Sequence, residues 1–354
     1  MRGGERCLES LCRLFPGAPL YTLLHVPGAV SREIERHPIT CSFLQRIPGI
    51  ARRYRSLLPL FPSAVERLDV TPYDLVLSSS HCVAKGVRPR PDALHICYCH
   101  TPMRYAWDMP DAYLRSPLTR AAAAPLLLYL RRWDRRASGR VHHFIANSRH
   151  VRERIRRCYD READVVYPPV DVDRFRISNR TEDYFLIVSA LVPYKRIDLA
   201  VDAFNRLGLP LRIVGDGPER GHLERRARPN ISFLGWQPDD CLPDLYARAV
   251  AFILPGVEDF GIAPVEAQAA GRPVIALRAG GALETVLDGQ TGDFFWPQTP
   301  EALVKTVRCF DPSGFSPEDL RAHARRFDRS FFERRMRKII AEAWEAHRPE
   351  PKRK

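Results

Sequence analysis

Long apolar stretches are missing from this sequence. The longest apolar run, from Ala121 to Leu130, is ten residues long and contains Pro125, whereas a membrane span needs about twenty residues. The first residues also lack the apolar core of a secretory signal peptide, so the sequence does not predict secretion. Short-period repeats and low-complexity tracts are missing as well. The sequence therefore predicts a globular protein of the cytoplasm.

The sequence also lacks the cysteine pattern of a disulfide-bonded or zinc-binding protein. Its nine cysteines are odd in number and irregularly spaced, so we predict reduced, buried thiols. The segment His95-Ile-Cys-Tyr-Cys-His100 does not fit a zinc site, because His95 and His100 would point to opposite faces of one strand. We predict no metal site, and we place His100 in a cleft at the end of this strand.

Charge is distributed unevenly along the 354 residues. The whole chain has a net charge of +13, with +12 in residues 1–165, −6 in residues 166–320 and +7 in residues 321–354. A chain of this length corresponds to about two domains. The sign of the charge changes near Pro168-Pro169, where two prolines end regular structure. We therefore predict two chemically different domains and a basic tail that forms a long helix.

Short apolar runs alternate with longer amphipathic stretches. The predicted strands are Leu75–Ser78, Leu94–Cys99, His143–Ala146, Asp164–Val166, Tyr184–Val188, Leu211–Val214, Ile231–Leu234, Ala249–Leu254 and Pro273–Ala276. The predicted helices include Pro117–Ser138, Arg149–Cys158, Ile197–Leu207 and Pro264–Ala270. Strands that alternate with helices form parallel sheets covered on both faces, so the sequence predicts an α/β fold.

The most specific segment runs from Pro255 to Gly271. An apolar strand ends at Pro255, a glycine-containing loop follows, and Pro264 suits the first turn of a helix. A loop in this position binds ligands in α/β sheets, and its N–H groups favour phosphate. Glu266 is then placed to accept hydrogen bonds from sugar hydroxyls, with Glu258 beside a diphosphate. For either glutamate alone, a helix-start carboxylate or a solvated loop charge is the simpler interpretation.

Further loops occupy the same position between a strand and a helix. The glycines of Gly215–Gly217 permit close backbone approach or a positive φ, although Asp-Gly-Pro is also an ordinary turn. Lys195 and Arg196 end a loop before a helix, where two cations would neutralise a leaving diphosphate or form a solvated pair. The junction at Gly280–Gly281 is compatible with a structural role and with a ligand-binding role equally.

The segment from Arg115 to Arg157 contains twelve arginines against Asp134 and Glu153, with Leu126–Leu130 interleaved. A basic amphipathic helix on an anionic membrane fits this composition, and so does a solvated helix face. Nucleic acid fits less well, because no recognised binding motif accompanies the charge. We favour the membrane surface and predict no nucleic-acid partner.

The second half of the chain resembles family 4 of the retaining glycosyltransferases in a series of motifs that occur in order. They are Pro169-Val-Asp-Val-Asp-Arg-Phe175, Val192-Pro-Tyr-Lys195, Val214-Gly-Asp-Gly-Pro218, Phe233-Leu-Gly235 and the pair of Glu258 and Glu266. The first half resembles a branch that includes mannosyltransferases of O-antigen and exopolysaccharide assembly. It does so in Arg2-Gly-Gly-Glu-Arg6, Asp74-Leu-Val-Leu-Ser-Ser79, Cys99-His-Thr-Pro-Met-Arg-Tyr105 and Ala146-Asn-Ser148.

The resemblance implies the GT-B fold, in which two Rossmann-like domains face each other across a cleft and a C-terminal helix crosses back to the first domain. Residues 1–167 would bind the acceptor, residues 168–329 the nucleotide-sugar, and residues 330–354 would pack on the first domain. Family chains open with a strand before the Gly-Gly turn, whereas here Met1 precedes Gly3 by two residues. The resemblance therefore implies that a first strand is missing.

The resemblance also implies roles for single residues. His100 would lie near the reacting sugar, Lys195 would stabilise the leaving phosphate, and Glu258 would hold the donor sugar and diphosphate. The remaining donor or acceptor contacts would come from Glu266 at the ribose, from the backbone of Phe260, Gly261 and Ile262, and from Arg196, Gly215, Asp216, Gly217, Gly3 and Gly4. Many members carry Arg where this chain has Ala190, and Arg196 is expected to take its place.

The implied activity is transfer of a hexose with retention, without a metal or other cofactor, because the leaving diphosphate helps to deprotonate the acceptor. The favoured donor is GDP-mannose, and the favoured acceptor is a lipid-diphosphate-linked or free saccharide in lipopolysaccharide or other surface polysaccharide biosynthesis. The enzyme would lie peripherally at the inner face of the cell membrane. Alternatives are a UDP-sugar-dependent transferase, a nucleotide-sugar epimerase or hydrolase, and an inactive binding homologue. A dinucleotide oxidoreductase is disfavoured, because no Gly-x-Gly-x-x-Gly follows a predicted strand.

Overall fold

The computed structural model of the protein describes residues 3–107 and 117–347. The chain divides into two compact units, Met1–Pro169 with Phe332–Lys354, and Val170–Phe331. These limits differ by two residues from the predicted boundaries at 167/168 and 329/330. Both units contain parallel strands joined by helices, which confirms the predicted α/β class.

The first unit contains two small parallel sheets. Strands β1 (Leu20–Thr22) and β2 (Ile39–Cys41) pair with each other. The second sheet has the order β3 (Leu75–Ser80), β4 (Leu94–Cys99), β5 (His143–Ala146) and β6 (Ala163–Val165). Among the residues that the structure describes, the helices of this unit are Gly3–Leu14, Arg32–Glu35, Ile50–Arg53, Phe61–Glu66, Arg104–Trp107, Pro117–Ser138 and Arg149–Tyr159, together with most of the C-terminal helix Arg329–His347.

Helices cover both faces of the four-stranded sheet, which explains why every residue of β4 is buried. On one face, helix Gly3–Leu14 and the C-terminal helix pack on the sheet, and the ring of Phe332 lies 5.5 Å from that of Tyr98. On the opposite face, helix Arg149–Tyr159 packs on Cys97 and its neighbours. The apolar spacing of the C-terminal helix therefore reflects burial in the first unit.

The second unit contains one six-stranded parallel sheet. Its strands are β7 (Phe185–Val188), β8 (Leu211–Val214), β9 (Ile231–Gly235), β10 (Phe252–Leu254), β11 (Val274–Leu277) and β12 (Gly292–Phe295), in the order β12-β11-β10-β7-β8-β9. Its helices are Ile197–Leu207, Arg220–Arg226, Leu242–Arg248, Ile262–Ala269, Ala282–Thr285, Pro300–Cys309 and Pro317–Ala324. The strand order reverses between β7 and β10, and such a switch point is where α/β sheets bind ligands.

Some sequence-based predictions were wrong in detail. Strands β1, β2 and β12 were not predicted. Strands β1 and β2 are partly exposed and lack the continuous apolar run of a buried strand, and β12 begins with Gly292-Asp293, two residue types that strands disfavour. All nine cysteines are free, but Cys41 is only partly buried, and Cys241 and Cys309 are exposed rather than buried. Cys241 and Cys309 are each the last residue of a helix.

Candidate active site

Four loops meet at the carboxyl edge of the six-stranded sheet. They follow β7, β8, β10 and β11, and backbone hydrogen bonds join them. Ser189 N donates to Val214 O at 3.0 Å, and Leu191 N donates to Asp216 O at 3.0 Å. Gly281 N donates to Glu258 O at 2.8 Å. The loops that the sequence singled out are therefore parts of one connected surface.

Glycines allow the loops after β7 and β8 to come this close. Gly215 has a φ of +123°, and a Cβ atom there would lie 1.9 Å from the Ser189 carbonyl oxygen. At Gly217 a Cβ atom would lie 2.3 Å from the Leu191 carbonyl oxygen. The close approach that these glycines predicted is thus to a neighbouring loop, and their contact with a ligand stays a prediction.

The loop after β10 is held in the same way on two sides. A Cβ atom at Gly256 would lie 2.6 Å from the Lys195 carbonyl oxygen, and one at Gly281 would lie 2.4 Å from the Phe260 Cα atom. Both positions lack room for a methyl group, because Cβ atoms in proteins essentially never lie closer than 3.0 Å to an atom of another residue. The backbone from Gly256 to Phe260 is therefore fixed between the loops after β7 and β11.

Lys195 and Glu258 form an ion pair across these loops. Their side chains are 16% and 17% exposed, and the Lys195 ammonium also lies 5.4 Å from the centre of the Tyr194 ring. Two of the three residues predicted to be catalytic therefore contact each other. A partly buried ammonium at the end of parallel strands is a strong site for an anionic group, because water screens it little.

Arg196 points to different partners from Lys195. It precedes helix Ile197–Leu207 with a φ of +53°. Its Nε donates to Asp198 Oδ1 at 3.1 Å, and its Nη1 donates to Gln298 Oε1 at 3.5 Å. Gln298 Nε2 in turn donates to the Pro255 carbonyl oxygen at 3.0 Å. Sequence analysis missed Gln298, which follows the unpredicted strand β12 and therefore carried no local signal.

Helix Ile262–Ala269 begins at the switch point. Gly261 precedes it with a φ of +92°, and as a glycine it has no side chain to cap the first turn. The side chain of Phe260 is 2% exposed and lies 5.5 Å from the ring of Phe327. Phe260 is thus buried in the core, and contact between its backbone and a ligand stays a prediction. The helix N-terminus adds the partial positive charge that phosphate prefers.

Glu266 lies on the same helix and is 4% exposed. The Tyr246 hydroxyl donates a hydrogen bond of 2.9 Å to Glu266 Oε2. Tyr246 is fully buried, and its ring lies 5.6 Å from that of Phe175. Sequence analysis missed Tyr246, because it lies on helix Leu242–Arg248 and its contact with Glu266 arises only in the folded chain.

In the first unit, His100 lies just after β4 at the carboxyl edge of the four-stranded sheet. Its Nε2 atom shares a hydrogen bond of 2.8 Å with Ser79 Oγ. A Cβ atom at Gly4 would lie 3.7 Å from this nitrogen. The structure therefore brings together His100 and the Gly3–Gly4 helix start, and it adds Ser79. Arg2 of the same motif lies outside the described residues.

Asp171, Asp173 and His95 have partners within the fold. Asp171 pairs with Arg329 at 2.8 Å, and Asp173 pairs with Arg321 at 3.4 Å. His95 Nδ1 donates to the Arg140 carbonyl oxygen at 3.2 Å, so its neutral Nε2 accepts from Ser78 at 2.9 Å. Burial lowers the pKa of His95 to about 4. These side chains hold the fold together in the present geometry.

Within residues 3–107 and 117–347, no cluster of three His, Cys, Asp or Glu side chains has the geometry to hold a metal ion. No helix in these ranges combines the length and the apolarity that a membrane crossing requires.

Among solved structures, the chain is similar to Anabaena Alr3699/HepE in complex with UDP and glucose. The TM-score is 0.71 at 20% identity, and the match covers 96% of each chain. It is also similar to sucrose-phosphate synthase from Thermosynechococcus elongatus, with a TM-score of 0.71 at 17% identity over 96% of this chain and 92% of that one. These likenesses concern the fold, and they confirm the expected GT-B architecture of two Rossmann-like domains.

Among curated proteins, the chain is 34% identical over 192 residues to the GDP-mannose-dependent alpha-(1-6)-phosphatidylinositol monomannoside mannosyltransferase of Mycolicibacterium smegmatis. The match covers 45% of this chain and 50% of that protein. The chain thus spans about half the length of the curated relatives it matches.

Two family models match adjacent parts of the chain. Residues 1–174 match the model for Glycosyltransferase Family 4, and residues 171–326 match the model for Glycosyl transferases group 1. Because the two models together span residues 1–326, the chain belongs to the family 4 glycosyltransferases.

Proposed function

We propose that this protein transfers a hexose from a nucleotide-sugar to a lipid-linked or saccharide acceptor in surface polysaccharide biosynthesis, with retention of the anomeric configuration. The favoured donor is GDP-mannose. The observation that carries the proposal is the Lys195–Glu258 pair beside the helix that begins after Gly261. This combination offers a cation, a carboxylate and the backbone N–H groups of a helix start at the switch point of a parallel sheet. A sugar diphosphate needs all three.

The donor would bind with its diphosphate at the backbone of Phe260, Gly261 and Ile262. The helix N-terminus and the Lys195 ammonium would neutralise its charge. Glu266 would accept hydrogen bonds from the ribose hydroxyls, with Tyr246 holding the carboxylate in place. Since Glu266 is 4% exposed, a hydrogen bond to it would be little weakened by water.

Transfer would occur on one face of the sugar. The bond between the anomeric carbon and the diphosphate oxygen breaks, and a bond from the same carbon to the acceptor oxygen forms on that face. The acceptor proton passes to an oxygen of the leaving diphosphate. Lys195 would stabilise the negative charge that develops on this leaving group. Once Lys195 binds the diphosphate, the Glu258 carboxylate would accept hydrogen bonds from hydroxyls of the donor sugar instead.

We propose that no metal ion takes part, because Lys195 and the helix N-terminus supply the positive charge that a metal would otherwise bring. Full activity in EDTA is the expected result. We further propose that the protein works in the cytoplasm at the inner face of the cell membrane, where a lipid-diphosphate-linked acceptor would be available. Its phosphates would suit the basic first unit, whose residues 1–165 carry a net charge of +12.

Calorimetry with GDP-mannose, UDP-glucose, UDP-GlcNAc and GDP tests the proposal. We expect GDP-mannose to bind and Glu266→Ala to abolish binding, whereas Glu301→Ala, an exposed carboxylate of the same unit, should leave binding unchanged. Selective binding of a UDP-sugar would replace GDP-mannose as donor. Free sugar or an isomerised donor without a disaccharide would indicate a hydrolase or epimerase. Binding without any turnover would indicate an inactive homologue.

A further inference from the structure

Helix Pro117–Ser138 exposes large apolar side chains in its middle. Leu128 and Tyr129 are each 48% exposed. The opposite face of the helix is well packed, because Leu130 and Ala137 are fully buried and Trp133 is 7% exposed. The exposure of Leu128 and Tyr129 is therefore not a sign of a poorly packed helix. Leu128 and Tyr129 form an apolar patch on a helix whose opposite face is packed in the first unit.

Arginines continue the same exposed face toward the end of the helix. Arg132 follows Leu128 by four residues, and Arg136 follows Arg132 by four, so these side chains lie in one row. Arg135 is exposed beside them. Within residues 3–107 and 117–347, no carboxylate pairs with any of these three arginines. Asp134 lies on the buried face, where it pairs with Lys85.

The neighbouring helix Arg149–Tyr159 extends this basic surface. Both helices connect adjacent parallel strands in the order β4, β5, β6, and right-handed connections place them on the same face of the sheet. The Tyr159 hydroxyl donates to Asp134 at 2.7 Å, which joins the two helices. The side chains of Arg152 and Arg156 are 42% and 66% exposed. Glu153 lies 3.8 Å and 3.6 Å from them and is their acidic neighbour.

Folding alone gains nothing from this arrangement. Arginines three and four residues apart repel each other on a helix, and about half of the surface of Leu128 and Tyr129 stays in water. An anionic membrane reverses both effects. Guanidinium groups bind lipid phosphates with paired hydrogen bonds, tyrosine favours the membrane–water interface, and a leucine can insert among the acyl chains.

We propose that the exposed face formed by Leu128, Tyr129, Arg132, Arg135 and Arg136 binds the surface of an anionic lipid bilayer. The proposal deepens the proposed function, because it names the surface through which the enzyme reaches a lipid-linked acceptor. It does not depend on which donor is used. Nucleic acid would use the arginines, and Tyr129 can stack on an unpaired base, but Leu128 offers it nothing, so Leu128 distinguishes the two partners.

Sedimentation of the full chain with vesicles tests the proposal. Vesicles of phosphatidylglycerol and phosphatidylcholine are compared with vesicles of phosphatidylcholine alone. Each arginine near an anionic surface contributes about five-fold to binding, so R132E/R135E/R136E should weaken it about 100-fold or more. L128Q/Y129Q keeps the charge and the helix propensity, and it should weaken binding about ten-fold. The matched control is R225E/R308E/R326E, which reverses three exposed arginines of the second unit and should change nothing.

Several outcomes would overturn the proposal. They are no binding of wild-type chain to anionic vesicles, equal loss in the control triple variant, and no effect of L128Q/Y129Q. Heparin binding with the same dependence on the arginines, and none on the apolar pair, would instead indicate a general polyanion site. Donor calorimetry on the same preparations separates this proposal from the proposed function. A chain that binds donor but not vesicles refutes the membrane surface alone, and an unchanged circular dichroism melting curve excludes unfolding as the cause.

Discussion

Replacement of Lys195 by methionine removes the charge of this side chain but keeps its length. In the free protein the variant leaves the Glu258 carboxylate, which is 17% exposed, without its ammonium partner. Breaking a fully buried pair costs about 3–5 kcal/mol. Because one-sixth of each side chain reaches water, solvent offsets part of that cost. We expect the free energy of unfolding of the second unit to fall by about 1–3 kcal/mol.

The double variant K195M/E258Q is expected to regain most of this stability, because it removes both charges and leaves neither unpaired. Chemical denaturation of the four proteins in the cycle measures the coupling, which we expect to be about 1–2 kcal/mol. Arg206 and Glu301 provide a control, since their ion pair has side chains that are 51% and 66% exposed. The cycle R206M/E301Q should show no measurable coupling.

Turnover is expected to follow a different course from stability. If Lys195 stabilises the leaving diphosphate, K195M lowers kcat by about 10²–10³, the usual effect of removing one preorganised donor from a reacting anion. K195M/E258Q should then be stable but still slow. A double variant that turns over donor at the wild-type rate would refute the role of Lys195. A coupling no larger than that of the control pair would show that the ion pair does not form in solution.

Three further predictions concern other parts of the structure. G281A places a Cβ atom 2.4 Å from a neighbouring backbone, so calorimetry should show at least about ten-fold weaker donor binding, whereas G314A, with open space around it, should have no effect. Burial lowers the pKa of His95 to about 4 from its ordinary 6.5. As the pH falls, His95 is therefore protonated in the unfolded chain before it is protonated in the folded chain. The free energy of unfolding should decrease as the pH falls from 6.5 to 4, and it should decrease less steeply in H95Q. Y246F removes the hydroxyl that donates to Glu266 and should cost about 1.5–3 kcal/mol in denaturation.

The contradicting results differ for each prediction. Equal donor affinity in G281A and G314A would mean that the loops move independently. The same pH dependence in H95Q and wild type would mean that another group titrates. Y184F, which removes a buried hydroxyl bonded to the Leu245 carbonyl at 2.7 Å, is the matched control for Y246F. Donor affinity should decrease only in Y246F, and an equal decrease in both variants would contradict the positioning of Glu266.

Elements with strong local signals could be predicted from sequence to the residue. Helices Pro117–Ser138 and Ile197–Leu207 and strand Leu94–Cys99 have the predicted bounds. Helix Ile197–Leu207 ends where Gly208 takes a φ of +72°, and a glycine in this conformation commonly ends a helix. Helix Ile262–Ala269 begins two residues before Pro264, because proline is tolerated throughout the first turn.

The candidate site was predictable where its residues lie in loops that join a strand to a helix. Glu258 and the loop up to Ile262 form a continuous segment between a strand and a helix. Tyr246 and Gln298 reach the site through tertiary contacts, which no local pattern encodes. Arg196 was predicted as a phosphate ligand, although Asp198 two residues later already offered it a local partner. The close approach of glycines was foreseen, but sequence could not say that neighbouring loops fill the space.

The glycine contacts between the loops have a consequence for engineering the enzyme. Where two backbones touch with no room for a methyl group, neither can change its path without the other. A loop transplanted singly from a relative would meet a partner shaped for a different path. Altered donor preference is therefore best sought by exchanging the segments after β7, β8, β10 and β11 as one cassette, or by libraries that vary their side chains while Gly215, Gly217, Gly256 and Gly281 are kept.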